Sequence, residues 1–348
     1  MNARLILFPL AWLYAVAARV RNWCFDRNIL RVQHVAVPVI SVGNLTTGGT
    51  GKTPFVEYIA RYLCSKNKCV AVISRGYGRS TKGTHLVTDG KQIRGTAFMA
   101  GDESFQIANK LPAVIVVVDE DRVRGAQFAV DQFHPDVIVL DDGFQHRRLY
   151  RDMDIVLIDA TRNIGEISFL PLGRRRENVS SLRRATLIAL TRVDDIVPDW
   201  MNGLRDETKA PMVTVNFRPK RFRCLDTEEV CETEHMKGKQ CVAFCGIGNP
   251  ESFRKILVQS GLHVVEFVVY PDHHQYTEAD FSALRSRLES GIAEMMVTTE
   301  KDASRFVDSH RTDHSTLPRC YVLEIETVVT NGKEVLHNHL ESIFHKAA

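Results

Sequence analysis

The chain has 348 residues, 44% of them hydrophobic and 25% charged, and a formal net charge of +3. That composition excludes a disordered chain and one that is membrane-spanning throughout, and so small a positive excess leaves no footprint for a nucleic-acid partner. The length exceeds one ordinary core and predicts two domains.

The first predicted element lies between Arg4 and Arg19, where LILFPLAWLYAVAA holds no charge. As a helix at ~1.5 Å per residue it covers ~21 Å, short of the ~30 Å hydrocarbon core, so a span is not expected. Arg4, Arg19, Arg21, Arg27 and Arg31 stand against Asp26 alone in residues 1–35. This favours a helix resting on an anionic membrane surface, the alternative being a helix packed on the protein's own core or a partner. Ala15-Val16-Ala17 imitates a secretory cleavage site, but the next segment needs cytosolic nucleotide, which argues against export.

That segment is Val37 to Thr53, VPVISVGNLTTGGTGKT, followed by Pro54-Phe-Val-Glu-Tyr-Ile-Ala. A β-branched apolar run, a Gly-rich turn and Gly-Lys-Thr opening a helical pattern make the strand, loop and helix of a phosphate-binding P-loop. Thr46, Thr47, Gly48, Gly49, Thr50 and Gly51 form the candidate cradle, Lys52 reaches the β/γ-phosphates and Thr53 ligands Mg²⁺. One position departs from the pattern: Thr46 stands where glycine is expected.

Cys69 to Ser74 reads as a second strand and ends in Arg75-Gly-Tyr-Gly-Arg79, a loop whose arginines face either a phosphate or solvent. Residues 80–96 are polar and Gly-punctuated, suiting a hairpin or flap. Gly101-Asp102-Glu103-Ser104 opens a helix, and Asp102 is either a functional carboxylate or a cap. Ala113 to Asp119 and Pro135 to Leu140 are continuous apolar runs, the pattern of strands buried on both faces of a parallel sheet. The second leads into Asp141 and Asp142, acids at the carboxyl edge where a P-loop fold holds Mg²⁺. Asp154 to Asp159 and Ala185 to Thr191 supply further strands. The loop between them carries Arg174, Arg175, Arg176, Arg183 and Arg184, either a grip for phosphate or a solvated basic face.

Residues 216–240 are charged and read as a connector, a small antiparallel ribbon. Strands follow at Cys241 to Cys245, Val264 to Val269, Met295 to Thr298 and Cys320 to Leu323, with a helix near 278–288 and the loop Asp272-His273-His274 between. The expected organisation is an N-terminal helix over 1–35, a P-loop domain over 36–215, a linker over 216–240 and a smaller α/β domain over 241–348. The eight cysteines form no Cys-x-x-Cys pair; Cys241 and Cys245 read as small core residues, and reduced thiols beside a nucleotide loop point to the cytoplasm. Phosphoryl transfer is the chemistry these residues suit, with Lys52, Thr53, Mg²⁺ and arginines carrying most of it. Asp102 with a histidine of the 273–274 pair suits deprotonation of an acceptor hydroxyl.

The sequence resembles the tetraacyldisaccharide 4'-kinase family of lipid A biosynthesis. The likeness rests on Ser41-Val-Gly-Asn44, Gly48-Gly-Thr-Gly-Lys-Thr-Pro54, Ser74-Arg-Gly-Tyr-Gly-Arg79, Gly101-Asp-Glu103 and Asp141-Asp-Gly-Phe-Gln-His146. It continues through Leu170-Pro-Leu-Gly173, Arg176-Glu177, Asp272-His273 and Thr299-Glu-Lys-Asp302. The resemblance implies an ATP- and Mg²⁺-dependent kinase acting on the 4'-hydroxyl of a tetraacylated glucosamine disaccharide 1-phosphate. It would work at the cytoplasmic face of the bacterial inner membrane, without nucleic acid. It implies two α/β/α domains joined by a β-ribbon, a surface-lying N-terminal helix, and a base pair of Asp102 with His273. Lys52 and Thr53 would hold phosphate and metal, Asp141 and Asp142 the metal site, and Arg176 joins the catalytic set. Asp102 and His273 fall in different domains, so closure across the connector is expected to pair them. Asn178 departs from the family pattern, which has proline after Glu177. The rival is a P-loop NTPase of the partitioning or metallochaperone type, against which Thr47 stands in place of the signature lysine. A GTPase reading of Thr191-Arg-Val-Asp194 or Thr299-Glu-Lys-Asp302 lacks the Asn-Lys-x-Asp form.

Overall fold

The structure, a computed structural model, describes residues 3–193, 198–309, 317 and 319–345. Asp194, part of the guanine-loop comparison, lies outside them. The first part of the chain supplies β1 (Val39–Asn44), β2 (Val70–Ser74), β3 (His85–Asp89), β4 (Ile115–Val118), β5 (Val137–Asp141), β6 (Met153–Asp159) and β7 (Leu187–Thr191). After these come β8 (Met212–Cys224), β9 (Val230–Glu232), β10 (Gln240–Cys245), β11 (His263–Val269), β12 (Met295–Thr299) and β13 (Cys320–Asn331). They join in one sheet of order β11-β10-β12-β13-β8-β7-β6-β1-β5-β2-β4-β3, with β9 on β8. The antiparallel pairs are β13–β8, β8–β9 and β3–β4, and the rest are parallel.

The helices are α1 (Ala3–Asp26), α2 (Lys52–Ser65), α3 (Ala97–Ala100), α4 (Asp102–Lys110), α5 (Arg122–Phe133), α6 (Leu204–Glu207), α7 (Pro250–Gln259), α8 (Glu278–Glu289), α9 (Glu300–Ser309) and α10 (Lys333–His345). The apolar runs of β1, β2, β4 and β5 are buried at every position because both faces of the sheet are covered. Alternation along β5 shows the two layers: Val137 and Val139 share a cluster with Phe55 and Ile59 of α2, whereas Ile138 and Leu140 pack with Ala126 and Ala129 of α5. The α2 face Phe55, Val56, Ile59, Ala60 and Leu63 is buried at helical spacing. Truncating Ile59 there to alanine would cost about 2–5 kcal/mol.

Within 216–240 a small antiparallel ribbon forms between β8 and β9, and β8 also makes a longer pairing outside that range. β8 begins at Met212, pairs in parallel with β7 through Val215, and then runs antiparallel to β13. The main ribbon partner is therefore β13, which extends to Asn331 rather than stopping at Leu323; within 216–240 only β9 adds a short third strand. The charged residues of 217–224 are tolerated because Arg218 and Lys220 are exposed and the half-buried Arg221 and Arg223 pair with Glu324. One apolar cluster runs from Ile40 and Phe55 through Phe222 to Cys241 and Val297, so the two halves share packing across the ribbon. Cys241 and Cys245 are buried in β10, and burial pushes both thiols up to about 12. Among the described residues no helix is long and apolar enough to cross a membrane.

Candidate active site

Every parallel strand of the first half delivers its following loop to one edge, and β1 sits centrally between β5 and β6. The turn from β1 to α2 needs positive φ at Gly48 (112°) and Gly51 (87°). A side chain at Gly51 would also lie 2.0 Å from the Phe217 ring. Thr46 escapes this demand. It lies outside the left-handed region and forms an antiparallel bridge with Arg175, so a β-branched residue replaces the expected glycine without strain. Thr47, Gly48, Gly49, Thr50, Gly51, Lys52 and Thr53 line a cavity of about 710 Å³, while Thr46 borders a small adjoining recess. The Thr50 hydroxyl is turned inward and accepts from Asn44 Nδ2 at 2.8 Å.

Asp141 closes β5 and Asp142 follows at φ 53°, both on the cavity wall. Burial, then the charges of Glu103 and Asp142, push the Asp141 carboxyl up to about 7 against the pull of Lys52 and Arg122. Its Oδ1 has no hydrogen-bond partner among the described residues. Asp142 is held at about 2: burial raises it, but Lys52 and Arg176 outweigh that. Lys52 Nζ lies 3.6 Å from Asp142 Oδ1, and Arg176 Nη1 donates to both carboxylate oxygens at 2.9 and 2.7 Å. A buried carboxylate with an unused oxygen, in the same cavity as Thr53 and the phosphate cradle, fits Mg²⁺, which takes few protein ligands and shares phosphate oxygens.

His273, at φ 61° in the loop after β11, borders the same cavity. Its Nδ1 is 3.2 Å from Asp102 Oδ2, which also accepts from Arg305 Nε at 2.7 Å. Asp102 makes no cap for α4 and stands buried behind the imidazole. Burial raises its carboxyl, but the His273 hydrogen bond and the charges of Arg305 and Lys301 outweigh burial and hold it below the ordinary carboxylate range. His274 turns away to Asp280 at 3.1 Å. The expectation that closure must bring Asp102 and His273 together is corrected: they are already in contact, because β13 and β8 hold the two carboxyl edges face to face.

Sequence reasoning missed what fastens the halves. Arg192, after β7, donates to Asp159 at 2.7 Å, to the Gly49 carbonyl at 2.8 Å and to Ser252 of α7 at 2.9 Å. Gly248 packs so closely that a side chain there would meet the Gly49 nitrogen at 2.8 Å. Arg305 was equally unmarked, since its partner Asp102 is 203 residues distant in sequence. The Arg75–Arg79 pair divides: Arg79 is tied to Glu120 and to the Val118 and Gly83 carbonyls, whereas Arg75 lines the cavity with Arg122 and His146. Burial, assisted by Arg122, lowers His146 to about 4.

The arginine loop also divides. Arg176 faces the acids, and Glu177, fully buried, accepts from Asn22 at 2.7 Å, Arg184 at 2.9 Å and Arg21 at 3.2 Å. Asn178 replaces the expected proline without penalty: its φ of −66° is one that proline would adopt, and its side chain caps the next turn by accepting from Ser180 N. The polar side of α1 is thus clipped to the protein, with Asp26 held by Arg147 and Arg183. Phe8, Trp12, Val16, Val20 and Trp23 form an exposed stripe along it.

A family model described as Tetraacyldisaccharide-1-P 4'-kinase matches residues 3–345. A tetraacyldisaccharide 4'-kinase of Chlorobaculum parvum is 40% identical over 350 residues, covering 98% of this chain and 95% of that protein. One from Geobacter sulfurreducens is 40% identical over 293 residues, covering 84% and 81%. Among solved structures, the apo-form LpxK from Aquifex aeolicus in complex with ATP superposes with a TM-score of 0.79 at 33% identity, covering 98% of this chain and 99% of that one.

Proposed function

Because the chain belongs to the tetraacyldisaccharide 4'-kinase family, we infer that it transfers the γ-phosphate of ATP to the 4'-hydroxyl of a tetraacylated glucosamine disaccharide 1-phosphate in lipid A biosynthesis. The observation that carries the assignment of roles is the convergence of the P-loop lysine and the Asp102–His273 pair on one cavity. The backbone from Thr47 to Thr53 binds the ATP phosphates, and Lys52 neutralises charge on the transferring group. Thr53, Asp141 and Asp142 would hold Mg²⁺, which would supply further neutralisation of phosphate charge. Arg176 fixes Asp142 and adds a cation beside the phosphates. His273 takes the hydroxyl proton while that oxygen bonds to the γ-phosphorus and the bond to ADP breaks. Asp102, behind the ring, orients it and stabilises the imidazolium that results. Arg75 and Arg122 add cations to the cavity beside the acid pair.

In this reading residues 36–215 bind the donor and 241–348 supply the base, with 216–240 between them. The exposed stripe of α1 lies in the anionic surface of the inner membrane, on its cytoplasmic face, where the lipid acceptor resides. Tyr14 and Arg21 border the reaction cavity, which supports entry of the acceptor along the helix. Membership of the kinase family leaves no place for the partitioning-type rival. Transfer of radiolabelled γ-phosphate from ATP to the purified lipid disaccharide tests the proposal. Lys52→Ala and Asp102→Ala should abolish most of it, and a wild-type enzyme inert on that lipid would overturn the assignment.

A further inference from the structure

Both ring nitrogens of His273 have partners. Nδ1 meets Asp102, and Nε2 lies 3.1 Å from the Lys301 ammonium at the start of α9. An ammonium only donates, so Nε2 must present its lone pair; an ionised carboxylate only accepts, so Nδ1 must carry the proton. Lys301 does not depend on the imidazole for its place, because Glu103 at 3.2 Å and Asp272 at 3.3 Å hold it. The groups that face His273 are Asp102 and Glu103 from α4, Lys301 and Arg305 from α9, Asp272 of its own loop and the tilted Tyr77 ring.

We propose that Lys301 is the positioning residue that keeps His273 in the tautomer whose Nε2 takes the acceptor's proton. Asp102, Glu103 and Asp272 are acceptors around the ring, and Lys301 is the donor that meets Nε2 while Asp102 accepts from Nδ1. The Lys301 N–H occupies the one lone pair of Nε2, and the acceptor hydroxyl takes that place as Lys301 shifts onto Glu103 and Asp272. The inference rests on His273 being the base.

The test uses the full-length enzyme with Lys301→Met, Lys301→Gln, Lys301→Arg and His273→Asn. Long-range ¹⁵N NMR of labelled histidine reports the tautomer, and the pH profile of kcat/KM reports the base. The wild type should show Nδ1 protonated and Nε2 free. Lys301→Met should lose that pattern and move the acid limb to higher pH by about 1–3 pH units. Lys301→Gln, close in size and able to donate to Nε2, should keep the tautomer but still move the limb, and Lys301→Arg should preserve both. Retained activity in His273→Asn would overturn the base assignment itself. An inactive His273→Asn beside Lys301 variants with wild-type spectra and limb would overturn the role of Lys301 alone.

Discussion

Lys110→Met probes how α2 is tied to α4 and α9. Lys110 of α4 lies 2.7 Å from Glu57 of α2 and 2.8 Å from Glu300 of α9, and all three are largely buried. Burial, with Glu57 adding to it, pushes the Glu300 carboxyl up to about 7 although Lys110 pulls it down. Removing the ammonium leaves two carboxylates facing each other, and breaking a buried pair in this way costs about 3–5 kcal/mol. A folded carboxyl with a raised pKa binds more protons than the unfolded chain, so stability falls as pH rises from the ordinary glutamate value towards about 7. Below that window a proton bridges the carboxyls in place of lysine. Urea unfolding at pH 8 should show the full deficit, and at pH 5.5 a clearly smaller one, with Lys110→Met/Glu300→Gln recovering part of the loss at pH 8. A deficit under about 1 kcal/mol at pH 8, or one equal at both pH values, would refute the reasoning.

Lys52→Ala should lower kcat by about 10²–10³, read by label transfer from ATP, since it removes one preorganised charge at the transferring group; an unchanged kcat would count against it. ATP with Mg²⁺ should raise the melting temperature of the wild type, and Asp141→Asn should lose the part of that rise that chelator removes. Trp12→Glu with Trp23→Glu should weaken sedimentation with anionic vesicles at least about tenfold, given roughly 1.5–3 kcal/mol for each buried aromatic side chain. Vesicle binding equal to wild type would place the membrane contact elsewhere.

The P-loop was legible because its signal is local: a β-branched run, glycines at the two positive-φ positions and a helical face that begins at Lys52. Asp141 and Asp142 were legible for the same reason, as acids at the end of an apolar strand. Asp102 and His273 could be chosen as residue types, but no spacing rule links positions 171 apart, and the family resemblance selected between His273 and His274. Arg192, Phe217 and Gly248 carried no signal, since each acts through contact between halves that only the β8–β13 pairing brings together. Thr299-Glu-Lys-Asp302 carried the resemblance without a role; its meaning depends on Asp302 bracing Arg305, which braces Asp102 in turn.

Arg176 and Glu177 are neighbours with separate allegiances, one gripping Asp142 and the other gripping Arg21 and Asn22 of α1. A single peptide bond therefore joins the phosphate chemistry to the orientation of the outermost helix. A tilt of that helix would reach, through this one linkage, the guanidinium that holds Asp142.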